Sequence, residues 1–593
     1  METGNKKFDK LFYYLIFCAI LKFMSKERVY LMEIKEAIAQ SAAEALGLIQ
    51  SELLDMLEVP PDPKMGDLAL PCFRLAKQLR KSPQAIAQEL AGQISAPQGI
   101  GRVEHQGGYI NFFYDRAFFC QNTLSSVFAA DNWGSSDMGQ NRCVVIDYSS
   151  VNIAKPFHIG HLSSTAIGNS LYKIYKYLGF NPVGVNHLGD WGTQFGKLIT
   201  AYKLWGDDAE IERDSVSAML KLYVRFHDEA KKDESLDEMG RAWFKKIEDG
   251  DPEALRIFGW FSDLTLREAK RVYEMLGIQF DYFTGESFYN DKMQPVIDEL
   301  KEKSLLEMDE GAWIVRLDEY SLPPCIILKT DGATLYSTRD LAAAEYRKQT
   351  FDFYKSLYVV AYQQSLHFKQ LFAVLEKMGK PWAGQCEHVA FGMVSLEDGT
   401  LSTRAGKVVL LEDVLNRSIE KTLATIDEKN PGLENKEEVA RQVGIGAVLY
   451  STLSAGRIKD ITFSFDRVLN FDGETGPYVQ YTHARASSVL RKYGETDVEA
   501  DYTALDNGDA FAVIKQIAEF PSAVVLAADK NEPSIITRHI TLLAQYFNKY
   551  YYECRIMDAD APKTRARIEL TRAVQTTIRT GLHLLGIAAP ERM

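Results

Sequence analysis

The spacing of hydrophobic and polar positions divides the 593-residue chain into regions of different structure. Residues 143–147 form a short apolar, β-branched run, which is typical of a buried parallel strand. A polar turn, a helical stretch and a further strand follow, and this order predicts a doubly wound, Rossmann-like parallel sheet that binds nucleotides at the carboxyl ends of its strands. From about residue 476 the apolar positions keep helical spacing only, as in 565–585, which predicts an all-α bundle.

An amino-terminal α/β module precedes the sheet region. Residues 32–57 are amphipathic with a helical period, and residues 102–114 are strand-like. Between them, Ser82 and Pro83 supply an N-cap followed by proline at the first helical position, which predicts a helix start. We expect this accessory module to cover residues 32–116.

Charged helical segments interrupt the sheet-forming region. They occupy 211–247 and 252–276, inside an insertion that we place at about 201–324. We expect the domain that contains the sheet and the insertion to cover residues 117–475, and the helical bundle to cover residues 476–593. The fold class is therefore a multidomain α/β protein.

The first 31 residues differ from the rest of the chain. Residues 11–23 are nearly all apolar and follow several lysines. This run is too short to span a bilayer, although the core of a signal peptide can be this short. We see no small-residue cleavage site before Met32, and Met24 and Met32 both offer later starts. We expect 1–31 to be an inessential or over-extended leader, with membrane attachment as the alternative.

Composition narrows the class of protein. The chain is 46% hydrophobic and 25% charged, as in ordinary globular proteins, and its seven cysteines form no CxxC pair, which argues against a disulfide framework and a structural metal. A net charge of −13 is unexpected for a partner of nucleic acid. However, residues 563–593 hold six basic and two acidic residues, and such a local patch can bind folded RNA.

A pair of histidines follows the predicted strand. His158 and His161 lie three residues apart, on either side of Gly160, just before a helical stretch. On a first helical turn both imidazoles lie on one face, beside unpaired backbone N–H groups and the positive end of the helix dipole. This arrangement can bind a phosphate that gains negative charge during a displacement. Alone, the pattern also fits two surface histidines at a helix start.

Two more polar clusters lie downstream. The first, NHLGDWGTQFG at 186–196, combines three glycines and a tryptophan with several polar side chains. Such a cluster costs stability unless it serves a ligand. The second, LSTRAGK at 401–407, is a small-residue loop that carries Arg404 and Lys407.

With these motifs the chain resembles a class I aminoacyl-tRNA synthetase and, within that class, an arginyl-tRNA synthetase. HIGH at 158–161 matches the class signature, and SSVNIAKPFHIGHL, GDWGTQFGKL, LYSTRDLAAA and the terminal LLGIAAPERM are similar to segments of the arginine family. The similarity runs from about residue 32 to residue 593. It implies a class I catalytic domain with a connective insertion, an amino-terminal module that reaches the corner of the L-shaped tRNA, and a bundle that binds the anticodon.

The resemblance implies a two-step reaction of arginine, ATP with its Mg²⁺, and tRNA(Arg). Arginine attacks the α-phosphorus to give arginyl-adenylate, and the terminal 2′-hydroxyl of the tRNA then takes the arginyl group. Positioning and charge stabilisation suffice for both steps. The residues expected to act in catalysis are His158, His161, Lys155, Arg404 and Lys407. Those expected to bind ATP are Phe157, His158, Gly160, His161, Gly189, Asp190 and His367. Those expected to bind arginine are Asp147, Ser149, Asn152, His187, Gln194, Tyr336, Asp340 and Gln364. No residue is expected to bind a metal.

The second signature departs from the class pattern. The usual motif is similar to KMSKS, whereas Leu401 stands here at the position of its first lysine. Arginyl enzymes often lack that lysine and carry one ahead of the HIGH element, where this chain has Lys155. We therefore expect an electrostatic role for Lys155, with a solvated loop lysine as the alternative.

Recognition of arginine requires carboxylates, because a guanidinium is a planar array of donors that binds them bidentately. Asp147 and Asp340 are the candidates. Tyr336 lies one turn from Asp340 if that stretch is helical, so both can face one pocket. Asp340 could instead cap a helix or pair with Arg339.

Aromatic and cationic residues at the start of the bundle are candidates for tRNA contacts, because such surfaces stack unpaired bases and hold phosphates. They are Tyr478, Tyr481, His483 and Arg485, and further tyrosines occur within 546–552. The tyrosines could equally pack helices against one another.

Other functions compete with this interpretation. Another nucleotidyltransferase of the HxGH superfamily would be much shorter and would lack the bundle. A noncatalytic synthetase-like RNA-binding protein would generally lose the two histidines. Among class I enzymes for other amino acids, cysteinyl enzymes need metal-binding cysteines that are absent here, and the large enzymes specific for aliphatic amino acids carry a longer editing insertion. We expect a cytoplasmic monomer without a membrane partner.

Overall fold

The computed structural model describes residues 30–329, 334–396, 409–494 and 497–593. Most of the proposed leader, and both Arg404 and Lys407, lie outside the described residues.

The amino-terminal module packs short helices against a three-stranded antiparallel sheet with the order β1-β3-β2. Its elements are α1 (Tyr30–Leu46), α2 (Gln50–Leu54), β1 (Leu68–Pro71), α3 (Ala76–Leu79), α4 (Pro83–Gln93), β2 (Ile100–Gln106) and β3 (Tyr109–Tyr114). The helix predicted over 32–57 is divided at Gly47, whose φ of 64° suits the end of α1. The predicted cap is present, since the Ser82 side chain accepts a hydrogen bond from Ala85 N at 3.2 Å.

A five-stranded parallel sheet forms the centre of the molecule, with the order β11-β10-β4-β5-β6. Its strands are β4 (Cys143–Asp147), β5 (Asn181–Asn186), β6 (Tyr282–Phe283), β10 (Lys355–Tyr358) and β11 (Cys386–His388). The helices that flank it are α5 (Arg116–Ala129), α6 (Leu162–Tyr177), α12 (Tyr336–Phe351) and α13 (Ser365–Lys377). Buried Val144, Val145 and Ile146 make β4 the middle of the core. The doubly wound sheet is confirmed.

The insertion after β5 is helical, as its charged amphipathic pattern predicts. Its helices are α7 (Thr193–Trp205), α8 (Asp208–Ala230), α9 (Ser235–Glu248) and α10 (Pro252–Leu276), and the chain then forms β6 and α11 (Met293–Glu302). The helix predicted over 211–247 is two helices, α8 and α9. A small antiparallel sheet follows, made of β7 (Glu307–Asp309), β8 (Ala312–Val315) and β9 (Cys325–Leu328).

The chain leaves the sheet through one parallel pair of short strands and three helices. They are β12 (Val394–Leu396), α14 (Leu411–Lys429), α15 (Lys436–Ser454), β13 (Ile461–Phe463) and α16 (Phe465–Val468). The carboxyl-terminal bundle then contains α17 (Gly476–Tyr493), α18 (Gly508–Ala518), α19 (Phe520–Asp529), α20 (Ser534–Glu553) and α21 (Ala561–Leu584). The all-α bundle is confirmed.

The bundle docks directly on the domain that contains the parallel sheet. On α6, Tyr175 donates its hydroxyl to Asn531 Oδ1 at 2.8 Å, and Ser170 donates to Leu584 O at 2.9 Å. Among the described residues, no single helix is long and apolar enough to cross a membrane. Taken together, α18 and α19 would be long and apolar enough, but a bend of 40° separates them.

Candidate active site

The strand order reverses next to β4, and this reversal creates the candidate site. The chain runs from β4 to β5 and β6 on one side, and later adds β10 and β11 on the other. The carboxyl ends of β4 and β10 therefore bound a crevice of the kind in which doubly wound sheets bind ligands. Asp147 ends β4 and Tyr358 ends β10, and the two are paired in register.

The paired histidines lie on a short 3₁₀ turn at this edge, ahead of α6. His158 Nδ1 accepts the backbone N–H of Gly160 at 3.0 Å, and His161 Nδ1 accepts that of His158 at 3.2 Å. Their ring centroids are 4.1 Å apart. The two side chains thus cap the turn reciprocally, which satisfies N–H groups that a helix start leaves unpaired.

These hydrogen bonds indicate which ring nitrogens carry protons. An Nδ1 that accepts a backbone N–H has no proton in the neutral ring, so we assign the proton to Nε2, which is then a donor. His161 Nδ1 also lies 3.3 Å from His158 O, and its closer contact with His158 N favours the same assignment. Burial, together with Lys155, lowers the pKa of His158, and burial together with His158 lowers the pKa of His161 to about 3. At neutral pH both rings are therefore uncharged donors. Phe157 packs against His161 with ring centroids 5.3 Å apart.

The turn between β4 and the histidines holds Asn152 against Gly189. Ile153 N donates to Gly189 O, and Gly189 N donates to Val151 O, both at 3.0 Å. A Cβ on Gly189 would lie 2.2 Å from Asn152 Oδ1, so only glycine permits this approach. Lys155 is exposed at the end of the turn.

The segment that follows residues 397–408 lies against the turn that carries the two histidines. Ile159 N donates to Val409 O at 3.2 Å, and Leu411 N donates to Phe157 O at 2.9 Å. These bonds join the segment that follows LSTRAGK to the residues of the HIGH turn.

A carboxylate between two histidines lies near the carboxyl end of β5. His367 Nε2 is 2.6 Å from Asp340 Oδ2, and His187 Nε2 is 3.9 Å from Asp340 Oδ1. Burial opposes ionisation of Asp340, but the hydrogen bond and charge of His367 hold its pKa below the usual value. Tyr336 is largely exposed, and its ring lies 4.9 Å from that of His367. His367, expected to bind ATP, is therefore grouped with the candidates for arginine.

Neither alternative for Asp340 is what the structure shows. Leu335 occupies the N-cap position of α12, and Arg339 donates to Asn290 Oδ1 at 3.2 Å. The condition for Tyr336 to lie one helical turn from Asp340 is met, because α12 begins at Tyr336 and includes both residues.

Asp147 already has a cationic partner. Arg347 Nη2 lies 2.7 Å from Asp147 Oδ2, with the two side chains 1% and 8% exposed. The same nitrogen is 3.4 Å from His187 Nδ1. Asp147 is thus neutralised within the protein and is not presented to a ligand, which corrects the expectation of a free carboxylate. A buried pair of this kind is held tightly because either partner alone would be a desolvated charge.

Ser149 is likewise occupied. Its hydroxyl lies 2.7 Å from the hydroxyl of Tyr273 and accepts a hydrogen bond from Thr165 at 2.9 Å, and its side chain is buried. Gln194 donates to Trp191 O at 3.1 Å, while Gln364 is exposed at the start of α13.

Asp190 has a structural partner, and its neighbour Glu286 was not predicted. Asp190 accepts hydrogen bonds from the backbone and the hydroxyl of Ser287, at 2.8 and 2.6 Å. Burial raises the pKa of Glu286 to about 7, Arg339 opposes the rise, and Asp340 and Asp190 add to it. Sequence spacing offered no signal for Glu286, because it follows β6 and meets Asp340 only in the fold.

Comparison with known proteins identifies the family. A family model described as "tRNA synthetases class I (R), catalytic domain" matches residues 123–465. Models of the arginyl-tRNA synthetase N-terminal domain and the DALR anticodon-binding domain match residues 32–114 and 479–593. The chain belongs to the arginyl-tRNA synthetase family. 

Individual relatives of this family span nearly the whole chain. The arginine–tRNA ligase of Alkaliphilus metalliredigens is 53% identical over 92% of this chain and 97% of its own length. That of Halothermothrix orenii is 50% identical over 95% of this chain and 100% of its own. Among solved structures, Thermus thermophilus arginyl-tRNA synthetase superposes with a TM-score of 0.80 at 27% identity, covering 95% of this chain and 100% of its own. Arginyl-tRNA synthetase from Plasmodium falciparum, 22% identical over 95% of this chain and 99% of its own, shares the fold with a TM-score of 0.76.

The bundle of this arginyl-tRNA synthetase family member presents one cavity where α17, α20 and the carboxyl terminus meet. Arg485 lies over the rings of Tyr481 and Tyr551, 4.9 and 5.2 Å from their centroids. Arg491 and Lys492 add positive charge, and the cavity, which is open to solvent, has a volume of about 390 Å³. This surface combines the aromatic and cationic character expected of an RNA contact.

Two of the predicted tRNA contacts are less accessible. His483 is 1% exposed, and its Nδ1 lies 3.0 Å from Pro590 O, so it packs inside the bundle. Tyr478 is half-buried against the core. Packing therefore explains these two better than contact with RNA does, because α17 turns one face inward.

Proposed function

We propose that this chain activates L-arginine with ATP to arginyl-adenylate and transfers the arginyl group to the 3′ end of tRNA(Arg), releasing AMP and pyrophosphate. Membership of the arginyl-tRNA synthetase family supports the proposal. The observation that carries it is the arrangement at one edge of the sheet: two neutral imidazole donors at the HIGH turn, and a cluster with excess carboxylate beside it.

Excess negative charge selects a cationic side chain. The cluster contains four acidic groups, which are Asp147, Asp190, Asp340 and Glu286. Asp147 is neutralised by Arg347, and Glu286 lies near Arg339. Asp340 stays ionised and partly accessible, with 26% of its side chain exposed. We assign the guanidinium of arginine to Asp340 and Glu286, because two carboxylates can share its planar array of donors.

A site with these two carboxylates would discriminate against lysine and citrulline by the geometry and charge of their side chains. Lysine offers a compact ammonium group that cannot bridge two carboxylates in one plane, and citrulline is neutral. A site whose buried polar groups would be left unpaired by the wrong substrate can reject it without editing.

His158 and His161 are assigned to the triphosphate. Their Nε2 atoms would donate to the phosphate oxygens as negative charge grows during attack of the arginine carboxylate on the α-phosphorus. Lys155, exposed beside His158, would add positive charge. We assign Arg404 and Lys407, which lie outside the described residues, to the departing pyrophosphate.

Magnesium is proposed to arrive with the nucleotide. Over the part of the chain that the structure describes, no group of three His, Cys, Asp or Glu side chains is placed to hold a metal ion. In this proposal the triphosphate oxygens and water supply most of the metal's ligands, as is usual for Mg²⁺.

The tRNA is proposed to lie along the bundle, with unpaired anticodon bases at the cavity beside Tyr481, Arg485 and Tyr551. Stacking on the tyrosines would supply affinity that tolerates differences in sequence, and the cations would hold phosphates. A monomeric state and a cytoplasmic location belong to the same proposal and rest on the family resemblance.

The test is ATP–pyrophosphate exchange with each amino acid, with and without tRNA. We expect exchange with arginine only, and only when tRNA is present. Exchange with another amino acid, or none with arginine when tRNA is supplied, would refute the proposal.

A further inference from the structure

The turn between β4 and the paired histidines holds strained backbone. Ser149, Ser150 and Ala154 have φ values of 71°, 50° and 61°, in the left-handed region. This conformation is unfavourable for a residue with a Cβ, and it persists only where the surroundings determine it. The residues that hold this turn are therefore part of what builds the site.

Both ends of the turn are held by one helix of the insertion. Ala154 N donates to Thr265 Oγ1 at 3.0 Å, and the Ser149 hydroxyl lies 2.7 Å from that of Tyr273. Thr265 and Tyr273 both belong to α10, and each is 3% exposed. They lie eight residues apart, so they project from the same broad face of the helix, about two turns and roughly 12 Å apart, and can reach opposite ends of the turn.

Each of the two hydroxyl groups makes one other hydrogen bond. Thr265 Oγ1 donates to Phe261 O at 2.8 Å, one turn earlier, which leaves its lone pairs for Ala154 N. Tyr273 accepts a hydrogen bond from Asn186 Nδ2 at 2.8 Å, and Asn186 ends β5. Tyr273 therefore connects the turn with the neighbouring strand, and α10 fixes the turn against the sheet.

We propose that Thr265 and Tyr273 are positioning residues that hold this turn in the conformation that presents Lys155 and His158 to the ATP triphosphate. The proposal rests on the proposed function. In this proposal the insertion supports catalysis, because hydrogen bonds from α10 offset the conformational free energy of the residues with left-handed φ. Both side chains are buried, so in this proposal they act through the turn and not by contact with substrate.

The test uses the full chain in ATP–pyrophosphate exchange with arginine and tRNA. Thr265→Val keeps the shape of the side chain but removes the acceptor for Ala154 N. The competent turn then becomes a minor conformation, and we expect kcat/KM for ATP to fall about 5- to 30-fold. Thr265→Ser, which retains the hydroxyl, should restore the rate.

A second change separates positioning from general stability. Glycine adopts positive φ without strain, so Ala154→Gly in the Thr265→Val background should recover most of the lost kcat/KM without recovering the melting temperature. Ser262→Ala is the matched control on the same helix. Its hydroxyl donates to Phe258 O at 2.9 Å, within α10, so its loss should leave the rate unchanged.

The outcomes are distinct. A Thr265→Val rate equal to that of the unmodified chain, or a loss that Ala154→Gly does not restore, overturns the positioning role. If Thr265→Val does not fold, Tyr273→Phe is measured in the same way, and an unchanged rate overturns the role. Failure of the unmodified chain to exchange with arginine defeats the proposed function instead.

Discussion

Replacing Glu286 by glutamine should remove the pH dependence of arginine use near neutrality. Burial raises the pKa of this carboxyl to about 7, with Arg339 opposing and Asp340 adding to the rise. The free enzyme is therefore about half ionised at Glu286 at pH 7. The guanidinium of arginine keeps its charge over this whole range, so the titration belongs to the protein.

The expected magnitude follows from the ionised fraction. With a pKa of about 7, Glu286 is roughly one-tenth ionised at pH 6 and roughly nine-tenths ionised at pH 8. If arginine binds the ionised form, its apparent KM falls about tenfold as the pH rises from 6 to 8. Glutamine loses a charge-assisted hydrogen bond worth about 1.5–3 kcal/mol, so the KM of Glu286→Gln should be about 10- to 150-fold higher at pH 8.

The assay is ATP–pyrophosphate exchange at saturating ATP and tRNA, with the KM for arginine measured at pH 6, 7 and 8. Glu302→Gln is the matched control, because Glu302 is an exposed glutamate at the end of α11. It should reproduce the pH dependence of the unmodified chain. A tenfold dependence that survives in Glu286→Gln would refute the reasoning, since another group would then be titrating.

Four further predictions test other parts of the site. Asp340→Asn should raise the KM for arginine at least tenfold, whereas His161→Ala should mainly lower kcat for exchange; equal effects on the arginine KM alone would contradict these roles. Because burial lowers the pKa of His161 to about 3, its protonation in the unfolded chain should reduce the free energy of unfolding by about 2 kcal/mol between pH 7 and pH 5, and His161→Asn should lose less in chemical denaturation. Gly189→Ala should raise the KM for arginine, because a Cβ there would lie 2.2 Å from Asn152 Oδ1, and a normal KM would mean that this contact is not needed. Arg485→Ala should raise the KM for tRNA in aminoacylation but leave arginine binding unchanged, and an unaltered KM for tRNA would remove the bundle cavity from the RNA path.

Much of the fold could be predicted from local sequence patterns. Such patterns depend on residues close together in the sequence, and they include the apolar run of β4, the N-cap of α4 and the helical period of the bundle. The breaks between consecutive helices were harder to predict. The break between α18 and α19, which meet at a 40° bend, was not predicted; Pro521 lies at the start of α19, where its missing N–H is tolerated.

Motif spacing also identified most of the candidate site. The sequence placed His158 and His161 on one turn and Tyr336 and Asp340 on another, because three- and four-residue spacings bring side chains to one helical face. It could not tell which carboxylates stay available to a substrate. That depends on which cations fold against them.

Only the tertiary structure decided the roles of distant residues. Arg347 lies 200 positions from Asp147 and neutralises it, and Glu286 joins the site although nothing in its own segment marks it. The physical reason is that periodicity and capping report contacts within a few turns, whereas charge balance and backbone support in a cleft are set by side chains brought together from separate strands and helices. Sequence alone therefore determined the architecture and the chemistry of the motifs, and the fold determined which groups are left to act.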